Sequence, residues 1–233
     1  MNKIFKVVWN KSKNCYVVVS ELAKNNSGKK KVVVAAVFAA LAMTNGNVAL
    51  AVNDVPANSA GASVAYGNGA TVTGANAVGL GKSATVTGAN AVGLGSGASV
   101  TGANAVGLGI SASVTGANAV GLGSSASVTG ANAVGLGSNA SVTGVNAVGL
   151  GTNVKASNSD VVAIGTAAKT ETAGGGVAIG QNAYSKGLYG NTPSVAVGKN
   201  SIANGGTAIA IGTSATVNEA GTSFSQGIAI GGG

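Results

Sequence analysis

A fourteen-residue unit, GANAVGLGxxAxVT, begins at Gly74 and starts again at Gly88, Gly102, Gly116 and Gly130, with a looser copy at Gly144. A constant period without insertions means that every unit meets the same surroundings, the signature of a stacked, quasi-one-dimensional array. Within a unit the apolar residues alternate: Val78 and Leu80 flank Gly79, and Ala84 and Val86 flank Thr85. Period two is the mark of a strand, because successive side chains point to opposite faces. A helix would need apolar residues at i, i+3, i+4 and i+7, and would lose about 1 kcal/mol at each glycine. The unit therefore reads as two short strands joined by glycine turns, and the array as an all-β solenoid.

Fourteen residues at about 3.3 Å each give a perimeter near ~46 Å. A coil that narrow holds Val, Leu and Ala but hardly Phe or Trp, which agrees with an aromatic content of 3%. Ala77 and Gly79 are expected to face outward, as small residues suited to close contact between rods. Gly74 and Gly81 are expected at the corners, where positive φ is often needed. One repeat position holds Asn76, Asn90, Asn104, Asn118, Asn132 and Asn146, which would form an amide ladder up the rod. Thr73, Thr87, Thr101, Thr115, Thr129 and Thr143 would form a hydroxyl ladder. Both ladders read as supports of the fold.

The net charge of +8 does not describe the whole chain. Eight lysines precede Val32, opposed there only by Glu21; from Val52 onward five lysines face Asp54, Asp160, Glu171 and Glu219, a net of +1. The repeats therefore have no overall basic character, which argues against nucleic acid as a partner. Disorder, the rival reading for a glycine-rich chain, is opposed by a mean hydropathy of +0.40 and by the fixed apolar positions.

The basic stretch ending at Lys31 runs into twelve apolar residues, Val32 to Met43. That is the core of an export signal and too short for a membrane-spanning helix, which needs about 20 residues. Ala49-Leu50-Ala51 supplies the small-x-small pattern, placing cleavage after Ala51, and the signal segment is expected to be helical. Ahead of it, Met1-Asn2-Lys3-Ile4-Phe5-Lys6-Val7-Val8-Trp9-Asn10 and Val17-Val18-Val19-Ser20-Glu21-Leu22-Ala23-Lys24 resemble the extended signal peptide region of large Gram-negative autotransporters and related adhesins. The resemblance implies export across the inner membrane toward the cell surface. Cys15, the only cysteine, falls in this segment, so the mature chain would contain no disulfide.

Beyond Ser157 the sequence drifts but keeps its beat, in Val162-Ala-Ile-Gly165, Val177-Ala-Ile-Gly180, Val195-Ala-Val-Gly198, Ile209-Ala-Ile-Gly212 and Ile228-Ala-Ile-Gly231. Their spacing lengthens by up to several residues, as loop insertions between equivalent coils would produce. These strands resemble the head repeats of trimeric autotransporter adhesins of the YadA type. The resemblance implies a left-handed parallel β-roll and assembly of three chains into a head that binds a host matrix or cell-surface ligand. The expected organisation is an extended signal peptide at 1–51, a lead-in at 52–59, regular head repeats at 60–157 and degenerate ones at 158–233. That family continues into a stalk and a C-terminal outer-membrane anchor, neither of which is recognisable in these residues.

No catalytic constellation emerges. Gly79-Leu80-Gly81-Lys82-Ser83 falls short of a phosphate-binding loop, since the spacing requires a glycine where Asn76 stands. A calcium-binding glycine roll would need a recurring aspartate, and the chain contains no histidine. The expectation is a protein without enzymatic activity, metal or cofactor. The local candidate for adhesion is the long interval containing Tyr184, Lys186 and Tyr189, read as a protruding loop with aromatic anchors. The alternatives are a passive spacer displaying another domain and, from pairs such as Thr71-x-Thr73, an ice-binding solenoid.

Overall fold

The computed structural model describes residues 5–10, 15–20, 63–171, 174–187, 192–218 and 226–232. The chain divides into two units, Met1–Leu50 and Ala51–Gly233.

In the first unit, β1 (Phe5–Asn10) pairs antiparallel with β2 (Cys15–Ser20), Phe5 opposite Ser20 and Asn10 opposite Cys15. Trp9 lies opposite Tyr16, and their rings meet edge to face with centroids 4.7 Å apart. The expected helical signal segment is therefore not helical over these residues. Both segments are rich in valine, whose branched Cβ favours the pleated sheet over the helix. The apolar run Val32–Met43 and the cleavage position Ala51 lie outside the described residues.

The second unit is a parallel β-solenoid. Strands alternate between two sheets: the odd-numbered strands, from β3 (Val64–Tyr66) to β25 (Ile228–Ile230), form a sheet of 12, and the even-numbered ones, from β4 (Thr71–Val72) to β24 (Thr216–Asn218), a sheet of 11. Each coil contributes one strand to each sheet. Identical residues stack in register, Val120 on Val134 and Ser113 on Ser127. The later pairings Val162↔Val177, Val177↔Val195 and Ile209↔Ile228 absorb insertions without losing register, while Val195↔Ile209 keeps the regular period. The extra residues fall between strands, so the ladders continue unbroken.

The bore is filled by alanine and valine, and the facing of one strand is the reverse of the sequence expectation. Ala77, Ala84 and Val86 are fully buried, and Gly79 also faces inward. A Cβ on Gly79 would lie 2.5 Å from Val72 Cγ2 and 3.1 Å from Val86 Cγ2. Val78 and Leu80 instead face outward. One valine per coil already fills the space between the sheets, so the residue opposite must lack a side chain.

Most of the variant coils keep the same volume balance, the exception being Val217 near the end of the array, which packs with Ala210 and Ala229. Where Ala140 and Val142 line one coil, the next has Val154 and Ala156, the same two side chains in exchanged positions, all buried. Where the valine column continues as Thr170, Ser185 and Ala203, the opposing column holds Ala178, Ala196 and Ala210 in place of glycine. Ser185 meets its polar requirement inside the bore: its Oγ lies 2.8 Å from the Ser194 carbonyl oxygen and 2.7 Å from Ser194 Oγ.

Corners use two devices. Gly81 has φ +142°, whereas Asn76 and Ser83 occupy the left-handed region at φ 54°. Gly74 is not at positive φ; a Cβ there would lie 2.0 Å from the Gly88 carbonyl oxygen, so close stacking of coils demands the glycine. The asparagine column forms directed amide bonds from Asn76 through Asn90, Asn104, Asn118 and Asn132 to Asn146, at 3.0 to 3.3 Å. Asn146 then donates to Asp160 at 2.9 Å. The threonines of the other column are aligned but make no side-chain ladder bond to one another; Thr143 Oγ1 donates to the Ser157 carbonyl.

Candidate functional site

The two outer faces differ in chemistry. On the 12-stranded sheet, the outward residues of each strand form two apolar columns: Val78, Val92, Val106 and their equivalents, and Leu80, Leu94, Leu108 and theirs. Most are half-buried, and Val64, Tyr66, Leu80, Ile179, Ile211, Ile228 and Ile230 are exposed. Twelve strands at about 4.8 Å, each about 10 Å long, give an apolar strip on the order of 500 Å². That is at the upper end of what a monomer leaves uncovered.

The 11-stranded sheet turns Ser and Thr outward. Its first column runs Thr71, Thr85, Ser99, Ser113, Ser127 and Ser141, and Thr73 to Thr143 supply the second. The hydroxyl pattern then stops, and three consecutive strands carry charge and an aromatic ring: β16 (Lys155–Ala156), β18 (Lys169–Glu171) and β20 (Tyr184–Lys186). Register places Lys155 beside Lys169 and Lys169 beside Tyr184 in one column, and Glu171 beside Lys186 in the other.

Like charges on adjacent strands repel, and Glu171 mediates between them. Its Oε1 lies 2.5 Å from Lys169 Nζ and 3.7 Å from Lys155 Nζ, while Oε2 accepts a 2.5 Å hydrogen bond from Tyr184 Oη. Lys169 Nζ also stands 5.2 Å from the centroid of the Tyr184 ring, within cation–π range. Burial works to raise the Glu171 pKa, but the hydrogen bonds from Lys169 and Tyr184 and the charges of Lys169 and Lys155 outweigh it. The carboxyl is held below its ordinary 4.5. Burial and the bond to Glu171 push the Tyr184 phenol above its ordinary value. With Lys186 in the adjacent column, three ammonium groups face one carboxylate. Among the described residues, the strip keeps a net positive charge on a face whose other outward strand residues are uncharged.

The structure thus relocates the adhesive candidate. Tyr184 and Lys186 are strand residues with outward side chains, not members of a protruding loop, and Tyr189 lies outside the described residues. Lys155, Lys169 and Glu171 were missed. Lys155 and Lys169 are fourteen residues apart, and Tyr184 follows after one insertion. Laying the drifted coils in register would have brought the cluster out.

Residues 1–50 match the family model described as the extended signal peptide of the type V secretion system. No curated protein matches the chain. Among solved structures, the collagen-binding domain of the Yersinia adhesin YadA is similar with a TM-score of 0.35 and 26% sequence identity, over 72% of this chain and 70% of that one.

Proposed function

We propose that this chain is the head of a bacterial surface adhesin, exported by the type V route and active as a homotrimer. The observation that carries the reading is the pairing of a type V leader at residues 1–50 with a stiff solenoid whose outer faces repeat the same chemistry coil after coil. A leader of that class directs the chain out of the cytoplasm of a Gram-negative bacterium, toward the outer-membrane surface. A repeating face offers one partner many equivalent contacts, so weak individual contacts add through effective concentration. Self-association is supported by the apolar columns around Val120 and Leu122, a continuous strip that copies of the chain would cover for one another.

The uniformity of the coils from Gly74 to Ser157 favours a second reading, a passive spacer that carries a binding domain away from the cell. Cells displaying the chain with the 28 residues Gly102–Thr129 removed separate the two readings. This deletion takes out two whole coils and keeps the register. Attachment to matrix-coated or cell-coated surfaces should fall if the repeats bind, whereas unchanged attachment would leave the spacer reading standing.

A further inference from the structure

We propose that the strip formed by Lys155, Lys169 and Lys186 binds an anionic polysaccharide lying along the solenoid axis. This rests on the adhesive reading and names its ligand class. The first ground is uncompensated charge. Three lysines lie on three adjacent strands with the single carboxylate of Glu171, which pairs with Lys155 and Lys169 only; Lys186, beside it in register, makes no ion pair among the described residues. A polyanion would relieve the repulsion that this register imposes.

The second ground is shape. The one point on which donors converge, from Lys155, Lys169 and Tyr184, is already filled by the Glu171 carboxylate. What the strip offers a ligand is therefore an outward strand face and not a pocket for a small anion. From Lys155 to Tyr184 and Lys186 it spans two coil spacings, about 10 Å, which suits an extended ligand carrying several charges. The third ground is what continues from it. Toward Thr71 the same face carries paired Ser and Thr hydroxyls on six successive coils, aligned with the lysine column. Hydroxyls both donate and accept hydrogen bonds, and so match the hydroxyls of a sugar chain. A protein partner would instead favour buried aromatic and arginine anchors, and Tyr184 is the face's only described aromatic residue, its phenol already committed to Glu171.

The test is binding of the full chain to dextran sulfate, with uncharged dextran and poly-L-glutamate as comparison ligands. The triple variant Lys155→Gln, Lys169→Gln, Lys186→Gln should bind dextran sulfate at least about tenfold more weakly, with a shallower salt dependence, because fewer counterions are released. Glu171→Gln removes the opposing carboxylate and should bind more tightly than the parent. Lys82→Gln, far along the rod, should match the parent. An unchanged circular dichroism spectrum and thermal midpoint establish that the surface variants are folded. Absence of dextran sulfate binding by the parent, equal binding by the triple variant, or equal affinity for poly-L-glutamate per charge would each overturn the proposal. Cell attachment in the coil-deletion experiment is read separately. Attachment that depends on the coils without dextran sulfate binding removes only the ligand assignment; dextran sulfate binding without attachment removes only the adhesive reading.

Discussion

Gly121 faces Val114 across the bore so closely that a Cβ on the glycine would lie 2.6 Å from Val114 Cγ2 and 3.2 Å from Val128 Cγ2. Gly121→Ala should therefore destabilise the solenoid by about 1–3 kcal/mol, the usual cost of overpacking. Adding Val114→Ala reproduces the pairing of Ala163 with the Ala156 column and should recover much of the loss. Urea unfolding of the two variants is the check. If the single variant is as stable as the parent, the volume rule for the bore is wrong.

Asn118 does two jobs at one corner. It holds φ 55°, and it links Asn104 to Asn132 through bonds of 3.0 and 3.1 Å. Asn118→Ala loses the bonds and leaves in the left-handed region a side chain with no polar group to hydrogen-bond locally, at a cost of about 1–2 kcal/mol. Asn118→Gly loses only the bonds and should be milder. Equal unfolding midpoints for the two would show that the backbone conformation contributes nothing.

The Glu171–Tyr184 pair predicts a pH profile with two arms. The Glu171 pKa is depressed in the folded chain, so its contribution is present above the ordinary 4.5 and is lost as the pH falls through the folded value. The Tyr184 pKa is raised, so its contribution is complete below the ordinary 10.0 and is lost as the pH rises toward the folded value. Tyr184→Phe removes the alkaline arm and, by taking away one hydrogen bond to the carboxylate, shrinks the acid arm. Thermal midpoints measured from pH 3 to pH 11 decide it; superimposable profiles for parent and variant would contradict the assignment.

Leu122 and its column neighbours Leu108 and Leu136 look outward from the 12-stranded sheet. Placing charge in the middle of the strip, as in Leu122→Glu with Leu136→Glu, should shift the chain toward monomer in sedimentation equilibrium while leaving its strand signal in circular dichroism. An oligomer of undiminished affinity would mean that another face mediates self-association.

Part of this fold was readable directly from residue order. Exact recurrence of GANAVGLGxxAxVT required equivalent coils, and the alternation of Val78, Gly79 and Leu80 required strands. The asparagine column followed, because identical residues at one repeat position must stack when the coils do. The leader was legible for a different reason: its signal is carried by linear order, from the lysine-rich run to the apolar core.

What residue order left undecided was direction. Alternation says that Val78 and Gly79 point to opposite sides, but not which side is the interior, and general hydrophobicity put the valine inside. The bore decided otherwise: its width admits the Val86 column only if Gly79 faces it, a constraint created by two strands that are not adjacent in the chain. The same holds for the charged strip. Lys155, Lys169, Glu171, Tyr184 and Lys186 are spread over 32 residues, and only parallel stacking, with insertions absorbed between strands, brings them together. The sequence alone determined the coil, its period and its export signal, because these are local or repeated patterns. Tertiary structure alone decided which face is core, which is apolar surface and where the lysines converge, because packing volume and strand register are properties of neighbours in space.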